Sequence, residues 1–145
     1  MEKETILISA CLLGVNCRYD GGHNYVAEVE ELKKKYNLVP VCAEVYGGLT
    51  TPRTPAERRG EGVVFRDGTD ATEAFRRGAR EILRLAEFYG CKKAVLKENS
   101  PSCGSGRIYD GTFTGTLISG DGVLSELLKK HGIEVFGESR IAEIR

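Results

Sequence analysis

The sequence predicts an α/β fold in which a single open, mainly parallel sheet is flanked by helices, a Rossmann-like three-layer arrangement with small hairpin additions. Short apolar segments rich in β-branched residues alternate along the chain with longer segments of helical periodicity. Two Asp-Gly pairs, within residues 63–70 and 107–115, indicate tight hairpins or turns. A chain of 145 residues can bury a substantial core, and we expect residues 1–145 to form one domain.

Four segments have the profile of buried strands, because each is a short run of apolar residues. Pro40 lies in the second of them and places that strand near an edge of the sheet, since proline has no amide hydrogen for the ladder. The strands are expected at Thr5–Ala10, Asn37–Cys42, Lys92–Lys97 and Ile133–Phe136.

Three segments carry apolar residues on one face at helical spacing, and each begins at a residue suited to an N-cap. In the second, Glu73 follows Asp70 by three residues, the pattern of a capping box. The expected helices run from Asn24 to Tyr36, from Asp70 to Gly90 and from Asp121 to Gly132, with a last short helical turn in residues 139–145.

The charge balance argues for a small-molecule partner. Lys and Arg number 21, and Asp and Glu also number 21, so the formal net charge is zero and no extended nucleic-acid surface is expected. No apolar run approaches the length of a membrane span. The first residues lack the basic head and cleavage site of a secretory signal, so we expect a cytoplasmic protein. The sequence does not indicate an oligomeric state.

Five dispersed cysteines without a Cys-x-x-Cys pair argue against a disulfide framework, a zinc ribbon and a thioredoxin-type site. Cys11 follows the first predicted strand, Cys42 ends the second, and Cys103 lies in the loop after the third. Ligands of open α/β sheets bind beyond the carboxyl ends of the strands, so these three thiols are expected to converge. Cys91 is interpreted as a buried structural residue. Cys17, in a polar loop with glycines, is either a spare thiol or part of the site.

Three converging thiolates suit a soft metal centre. Zinc normally takes four ligands and would therefore need Cys17 or a histidine, or would keep one open position. His131 is expected to pack or to stabilise the end of a helix, and His23 to lie in an exposed loop. An iron–sulfur cube usually has four cysteine ligands. With three, one iron stays open and can act as a Lewis acid.

Polar residues near these cysteines are candidates for chemistry. Glu44 lies two residues after Cys42 and is a candidate general acid or base, or else an ordinary surface glutamate. Arg53 lies between two prolines, which stiffen the segment, and is a candidate to bind a carboxylate or phosphate. The alternative is an internal pair with Glu57 or Glu61.

The loop that contains Cys103 is rich in hydroxyls and glycines. Ser100 and Ser102 flank a proline, and the glycines allow backbone amides to approach an anion or cluster sulfides closely. The candidate substrate-binding residues are Cys17, Arg18, Arg53, Ser102 and Gly104.

Three segments, ISACLLGVNCRYDGG, VPVCAEVYGGLTTPRTPAE and LKENSPSCG, together resemble the thiouracil desulfidase family in content and order. They are spread over most of the chain. The resemblance implies an oxygen-sensitive [4Fe-4S] cluster held by Cys11, Cys42 and Cys103. It also implies an active-site glutamate and serine, which correspond to Glu44 and Ser100.

The function that this resemblance implies is non-redox removal of sulfur from a thiolated pyrimidine, either thiouracil or a thiouridine nucleotide. The open cluster iron would bind the substrate sulfur, Glu44 would move protons, Ser100 would orient substrate or water, and hydrogen sulfide would leave. Ala43 replaces a proline that is frequent in the family, and both functional groups are kept. Two alternatives stay open: a thiol or persulfide redox protein with Cys11 and Cys17 as a pair, and a metal-stabilised binding domain without catalysis.

Overall fold

The structure, a computed structural model that describes residues 2–144, alternates parallel strands with helices and adds two antiparallel hairpins. In chain order its elements are β1 (Glu4–Ser9), a 3₁₀ helix (Ala10–Leu13), α1 (Val29–Lys35), β2 (Tyr36–Val41), α2 (Ala43–Tyr46), β3 (Ala56–Arg59), β4 (Gly62–Phe65), α3 (Thr72–Tyr89), β5 (Lys93–Leu96), β6 (Arg107–Tyr109), β7 (Leu117–Ser119), α4 (Val123–Lys130), β8 (Glu134–Gly137) and a second 3₁₀ helix (Glu138–Glu143).

The central sheet has the strand order β2-β1-β5-β8, and all of its neighbouring strands are parallel. The predicted fold class is confirmed. The chain passes from β1 to β2 on one side and later reaches β5 on the other side, so the sheet has a switch point between β1 and β5. Ser9 pairs with Val41, so the loops after β1 and β2 leave the sheet at the same level. Pro40 lies in β2, an edge strand as predicted.

Both faces of the sheet are covered, which gives the three predicted layers. Side chains alternate along β1, so Leu7 packs in one core with Ile82 of α3 and with residues of α4. Ile6 and Ile8 pack in the other core with Leu32 of α1. This double burial explains why the strands have continuous apolar sequences. In residues 2–144, every helix is too short or too polar to cross a membrane.

Two helices begin later than the sequence predicted. The first begins at Val29 and not at Asn24, because the Asn24 amide donates to the carbonyl oxygen of Cys11 at 2.9 Å and residue 24 is held in a loop. The third begins at Val123, after Gly122 as its N-cap residue, and the Asp121 carboxylate accepts a loop amide instead of capping it.

The predicted capping box at the start of α3 is wrong. The Asp70 carboxylate accepts the amide of Thr72 at 3.1 Å, two residues on, and Ala71 is the N-cap residue. Glu73 reaches along the helix to Arg80 at 2.9 Å and not back to the N-terminus. The predicted end at Gly90 is confirmed, since this glycine is the C-cap with a φ of 67°.

The Asp-Gly pairs lie in turns, although neither forms a two-residue hairpin turn. In the hairpin of β3 and β4 the chain reverses around Gly60, and Asp67-Gly68 forms the next turn, which returns the chain to Val64. The other pair, Asp110-Gly111, opens the longer loop between β6 and β7.

Helices α2 and α3 contact each other through their backbones. A Cβ atom at Gly78 of α3 would lie 1.8 Å from the carbonyl oxygen of Ala43 in α2. A Cβ atom at Gly47, just after α2, would lie 2.0 Å from the carbonyl oxygen of Ala74. Because α2 carries Glu44, these glycines set where that carboxylate stands relative to the sheet.

Candidate active site

A cavity of about 520 Å³ lies at the carboxyl edge of the sheet. Its lining comes from the loops that follow β1, β2 and β5 and from the two hairpins, so it occupies the place where open α/β sheets bind ligands. Cys91 lies elsewhere, buried in the hydrophobic core in agreement with its structural interpretation. The other cysteines all line the cavity: Cys11, Cys17, Cys42 and Cys103.

Cys103 is the most enclosed of the cavity thiols. Its Sγ accepts a hydrogen bond from the Ser9 hydroxyl at 3.5 Å, and the Ser102 Oγ lies 3.7 Å away. The Ser9 oxygen accepts the amide of Lys97 at 2.9 Å, which directs the Ser9 hydrogen toward the sulfur. Burial raises the pKa of the Cys103 thiol to about 12. Ser9 was not predicted, although its place at the end of β1 could have indicated it.

Cys42 and Cys17 form a hydrogen-bonded pair. The Cys42 Sγ donates to the carbonyl oxygen of Cys17 at 3.9 Å, and the neighbouring Cys17 thiol lowers the Cys42 pKa to about 6 while the pKa of Cys17 is raised. Cys11 is different, because burial raises its pKa and a hydrogen bond from Asn24 only partly opposes this. The dithiol alternative proposed a Cys11–Cys17 pair, whereas the structure gives Cys17 a hydrogen bond with Cys42.

Glu44 and Arg53 form an ion pair inside the cavity wall. The Arg53 Nε lies 2.9 Å from the Glu44 Oε1, and their side chains are only 6% and 15% exposed. Arg53 also donates to the carbonyl oxygens of Cys17 at 2.7 Å and Thr50 at 3.2 Å. The internal pair considered for Arg53 therefore exists, but its partner is Glu44 and not Glu57 or Glu61.

A chain of hydroxyls connects Ser100 with Glu44. The Ser100 Oγ accepts the amides of Ser102 and Cys103, each at 3.1 Å, so its own hydrogen is left to donate. The Ser102 Oγ lies 3.0 Å from the Ser100 Oγ and donates to the Glu44 Oε2 at 3.1 Å. Because a carboxylate only accepts, the direction of the chain is from Ser100 through Ser102 to Glu44.

Of the remaining residues predicted to bind substrate, one lines the cavity and one does not. Arg18 lines the cavity and is paired with Asp20 on the exposed side. Gly104, which was predicted to bind substrate, is not part of the lining. A Cβ atom there would lie 2.7 Å from the carbonyl oxygen of Ser100 and 2.9 Å from that of Arg107. Gly104 therefore serves the close packing of the loop that carries Cys103.

A profile described as 2-thiouracil desulfurase matches residues 6–140. The chain belongs to the 2-thiouracil desulfurase family. It is 42% identical over 149 residues to the protein named "Uncharacterized protein YbbK" of Bacillus subtilis (strain 168), covering 96% of this chain and 99% of that protein. A solved structure named [4Fe-4S]-dependent thiouracil desulfidase TudS matches with a TM-score of 0.92 at 48% identity, covering 97% of this chain and 95% of that one.

This member of the 2-thiouracil desulfurase family has a donor set that fits an iron–sulfur cluster better than a single metal ion. Within residues 2–144, no group of three His, Cys, Asp or Glu side chains is placed to hold one metal ion. A histidine was one possible fourth ligand for zinc, beside Cys17 or an open position, but His23 and His131 are both exposed and do not line the cavity. In a cluster each thiolate binds a different iron, so three thiols around one cavity, one of them already accepting a hydrogen bond from a hydroxyl, are suitable ligands.

The two hairpins add a wall to the cavity that the sequence did not predict. This wall includes Arg66, Tyr109 and Phe113. The Arg66 guanidinium carbon lies 5.7 Å from the centroid of the Phe113 ring, a cation–π distance. The aromatic residues on both sides of Asp110-Gly111 were the available signal, but the sequence does not show which side of the hairpin faces the site.

Proposed function

We propose that this protein is a [4Fe-4S]-dependent desulfidase that converts a thiolated pyrimidine, thiouracil or a thiouridine nucleotide, to its oxygen counterpart. The thiocarbonyl carbon loses its bond to sulfur, gains a bond to the oxygen of water, and hydrogen sulfide is released with no net redox change. We also propose that residues 1–145 form a single thiouracil-desulfidase-like domain. The observation that carries it is the directed Ser100–Ser102–Glu44 chain, which lies beside three thiols in one cavity.

The cluster would be held by Cys11, Cys42 and Cys103, the thiols on the loops after β1, β2 and β5. When bound, it would supply one iron without a protein ligand, a Lewis acid for the thiocarbonyl group. Cys17 is not a ligand in this proposal. Its carbonyl oxygen instead accepts hydrogen bonds from the Cys42 Sγ at 3.9 Å and from Arg53 at 2.7 Å, which ties the Cys17 loop to both the ligand and the catalytic wall.

The side chains of the protein itself provide the acid–base chemistry. Glu44 is the terminal proton acceptor, since its Oε2 ends the hydroxyl chain and its Oε1 is held by Arg53. Ser100 has a fixed oxygen, because two backbone amides bind it, and it orients the water or the substrate. A proton taken from water at Ser100 can reach Oε2 through Ser102 by short transfers.

The cavity has the size of a small-molecule site. Its volume of about 520 Å³ lies within the roughly 300–1,000 Å³ of such pockets. A pyrimidine base or nucleotide is therefore a suitable substrate, in agreement with the neutral net charge of the chain.

The decisive experiment is anaerobic reconstitution followed by measurement of iron content and of sulfide release from 2-thiouracil, 4-thiouracil and 4-thiouridine monophosphate. We expect about four irons per chain and sulfide release from at least one substrate. Glu44→Gln should keep the iron and lose at least about 100-fold in kcat. Glu61→Gln, at a side chain that is 90% exposed, is the matched control. If the Cys103→Ala protein still assembled a complete, active cluster, the assignment of Cys103 as a ligand would be wrong. If Glu44→Gln turned over at the normal rate, Glu44 would have no role in the mechanism.

One observation favours a second function, a thiol or persulfide redox protein. The neighbouring Cys17 thiol lowers the pKa of Cys42 to about 6, as in a reactive dithiol. That function predicts a titratable disulfide and no iron after anaerobic reconstitution, so the same metal analysis separates the two.

A further inference from the structure

Phe113 has an unusual backbone for a bulky residue. Its φ of 59° lies in the left-handed region, which large side chains rarely adopt and which often marks functional sites when it occurs. Among residues 2–144, the non-glycine residues with positive φ are Asn99 and Phe113, and both line the cavity. The strained backbone of the hairpin loop thus coincides with the candidate site.

The neighbouring hairpin holds Phe113 in this conformation. The Glu57 Oε1 accepts the amide of Gly111 at 2.9 Å and the amide of Phe113 at 3.1 Å, so one carboxylate fixes the backbone on both sides of Thr112. The Arg59 guanidinium donates to the carbonyl oxygen of Gly111. The β3–β4 hairpin therefore determines where the ring at the tip of the β6–β7 hairpin stands.

We propose that Phe113, together with the Arg66 guanidinium, forms the surface on which the ring of the substrate stacks, and that Glu57 is the residue that positions it. This inference rests on the proposed function. A thiolated pyrimidine is planar, and aromatic rings and guanidinium planes are the groups on which such rings stack. The remaining lining supplies the thiols and Glu44, so the cavity offers a planar contact and reacting groups together.

Stacking recognises the face of the ring and not the position of its sulfur. Loss of the Phe113 ring should therefore weaken the binding of 2-thiouracil and of 4-thiouracil by a similar factor. It should raise KM and leave kcat nearly unchanged, because the hydrogen bonds from Ser100 through Ser102 to Glu44 do not involve Phe113.

The test uses the reconstituted protein and steady-state kinetics with both thiouracils, with uracil as a competitive product inhibitor. Phe113→Gly removes the ring yet accepts the left-handed backbone, and we expect KM and the inhibition constant of uracil to rise about 5- to 100-fold. Phe113→Tyr should keep the wild-type values. Phe88→Ala is the matched control, since Phe88 is 81% exposed and outside the cavity.

The role of Glu57 is read from a second pair of variants. Glu57→Ala should raise KM as Phe113→Gly does, and Glu57→Gln should retain a KM near that of wild type, because its amide oxygen still accepts both backbone amides. A KM within twofold of wild type in Phe113→Gly overturns the stacking role while the proposed function stands. Equal losses in Glu57→Ala and Glu57→Gln overturn the positioning role. A wild-type protein that binds iron but releases no sulfide overturns the inference together with the proposed function.

Discussion

Replacing Gly78 by alanine should destabilise the protein, although the same change in a helix normally stabilises it. The added Cβ would lie 1.8 Å from the carbonyl oxygen of Ala43, and real Cβ contacts do not fall below 3.0 Å. Helix α2 must therefore move away from α3 by about 1.2 Å. That shift exceeds the roughly 0.5 Å within which catalytic groups must be held, and it carries Glu44 and the adjacent Cys42 with it.

Overpacking of this kind costs about 1–3 kcal/mol. For a domain of this size the melting temperature should fall by about 3–10 °C. The measurements are a thermal melt of the cluster-free protein and sulfide release by the reconstituted protein, and both values should decrease. Glu87→Ala, on the exposed side of the same helix, is the control. A Gly78→Ala protein that melts at or above the wild-type temperature would refute the backbone contact, because helix propensity alone predicts a gain of up to about 1 kcal/mol.

Two further predictions concern charges and thiols around the cavity. Arg53→Met leaves the Glu44 carboxylate buried without its cation, so the melting temperature should fall by about 6–12 °C, corresponding to roughly 3 kcal/mol. Arg18→Met breaks an exposed ion pair and should melt near the wild-type temperature. Equal decreases in melting temperature for the two variants would contradict the difference in burial. In the cluster-free protein, iodoacetamide should label Cys42 at a rate that rises as the pH increases through about 6, because the thiolate of a group with a lowered pKa persists above that pH. Cys103, with a pKa of about 12, should stay unlabelled until the protein unfolds, and peptide mapping that finds Cys103 labelled first would contradict this.

The parts of the site that could be predicted from sequence depend on local patterns. Apolar β-branched runs predict β1 and β5, and the rule that parallel strands end at one edge predicts that Cys11, Cys42 and Cys103 converge, as they do around one cavity. The prediction of where α1 begins was wrong because it depends on a contact that is not local in sequence. The Asn24 amide is bound by the Cys11 carbonyl oxygen, a contact across 13 residues that leaves no periodic pattern.

The hairpin wall escaped prediction for the same physical reason. Glu57 binds amides that are 54 and 56 residues away, and nothing in the spacing of these residues reveals the contact. The Ser100–Ser102 part of the hydroxyl chain lies within one loop, whereas its end at Glu44 comes from α2, 58 residues earlier. Sequence could therefore nominate both ends of the chain, while only the fold shows that Ser102 connects them.

The switch point between β1 and β5 also determines when the site can exist during synthesis of the chain. Cys11 and Cys42 leave the ribosome early, but the third thiol, Cys103, follows a strand that must insert beside β1. A nascent chain therefore exposes only an incomplete set of thiols until most of the sheet has been made. Cys103 is a buried member of the core on one side of the sheet, and Cys11 packs against the core on the other side, so the loops that carry these thiols form together with the cores. The three proposed cluster ligands can therefore meet only after β5 has joined the sheet, and loading of the proposed cluster would follow assembly of the sheet.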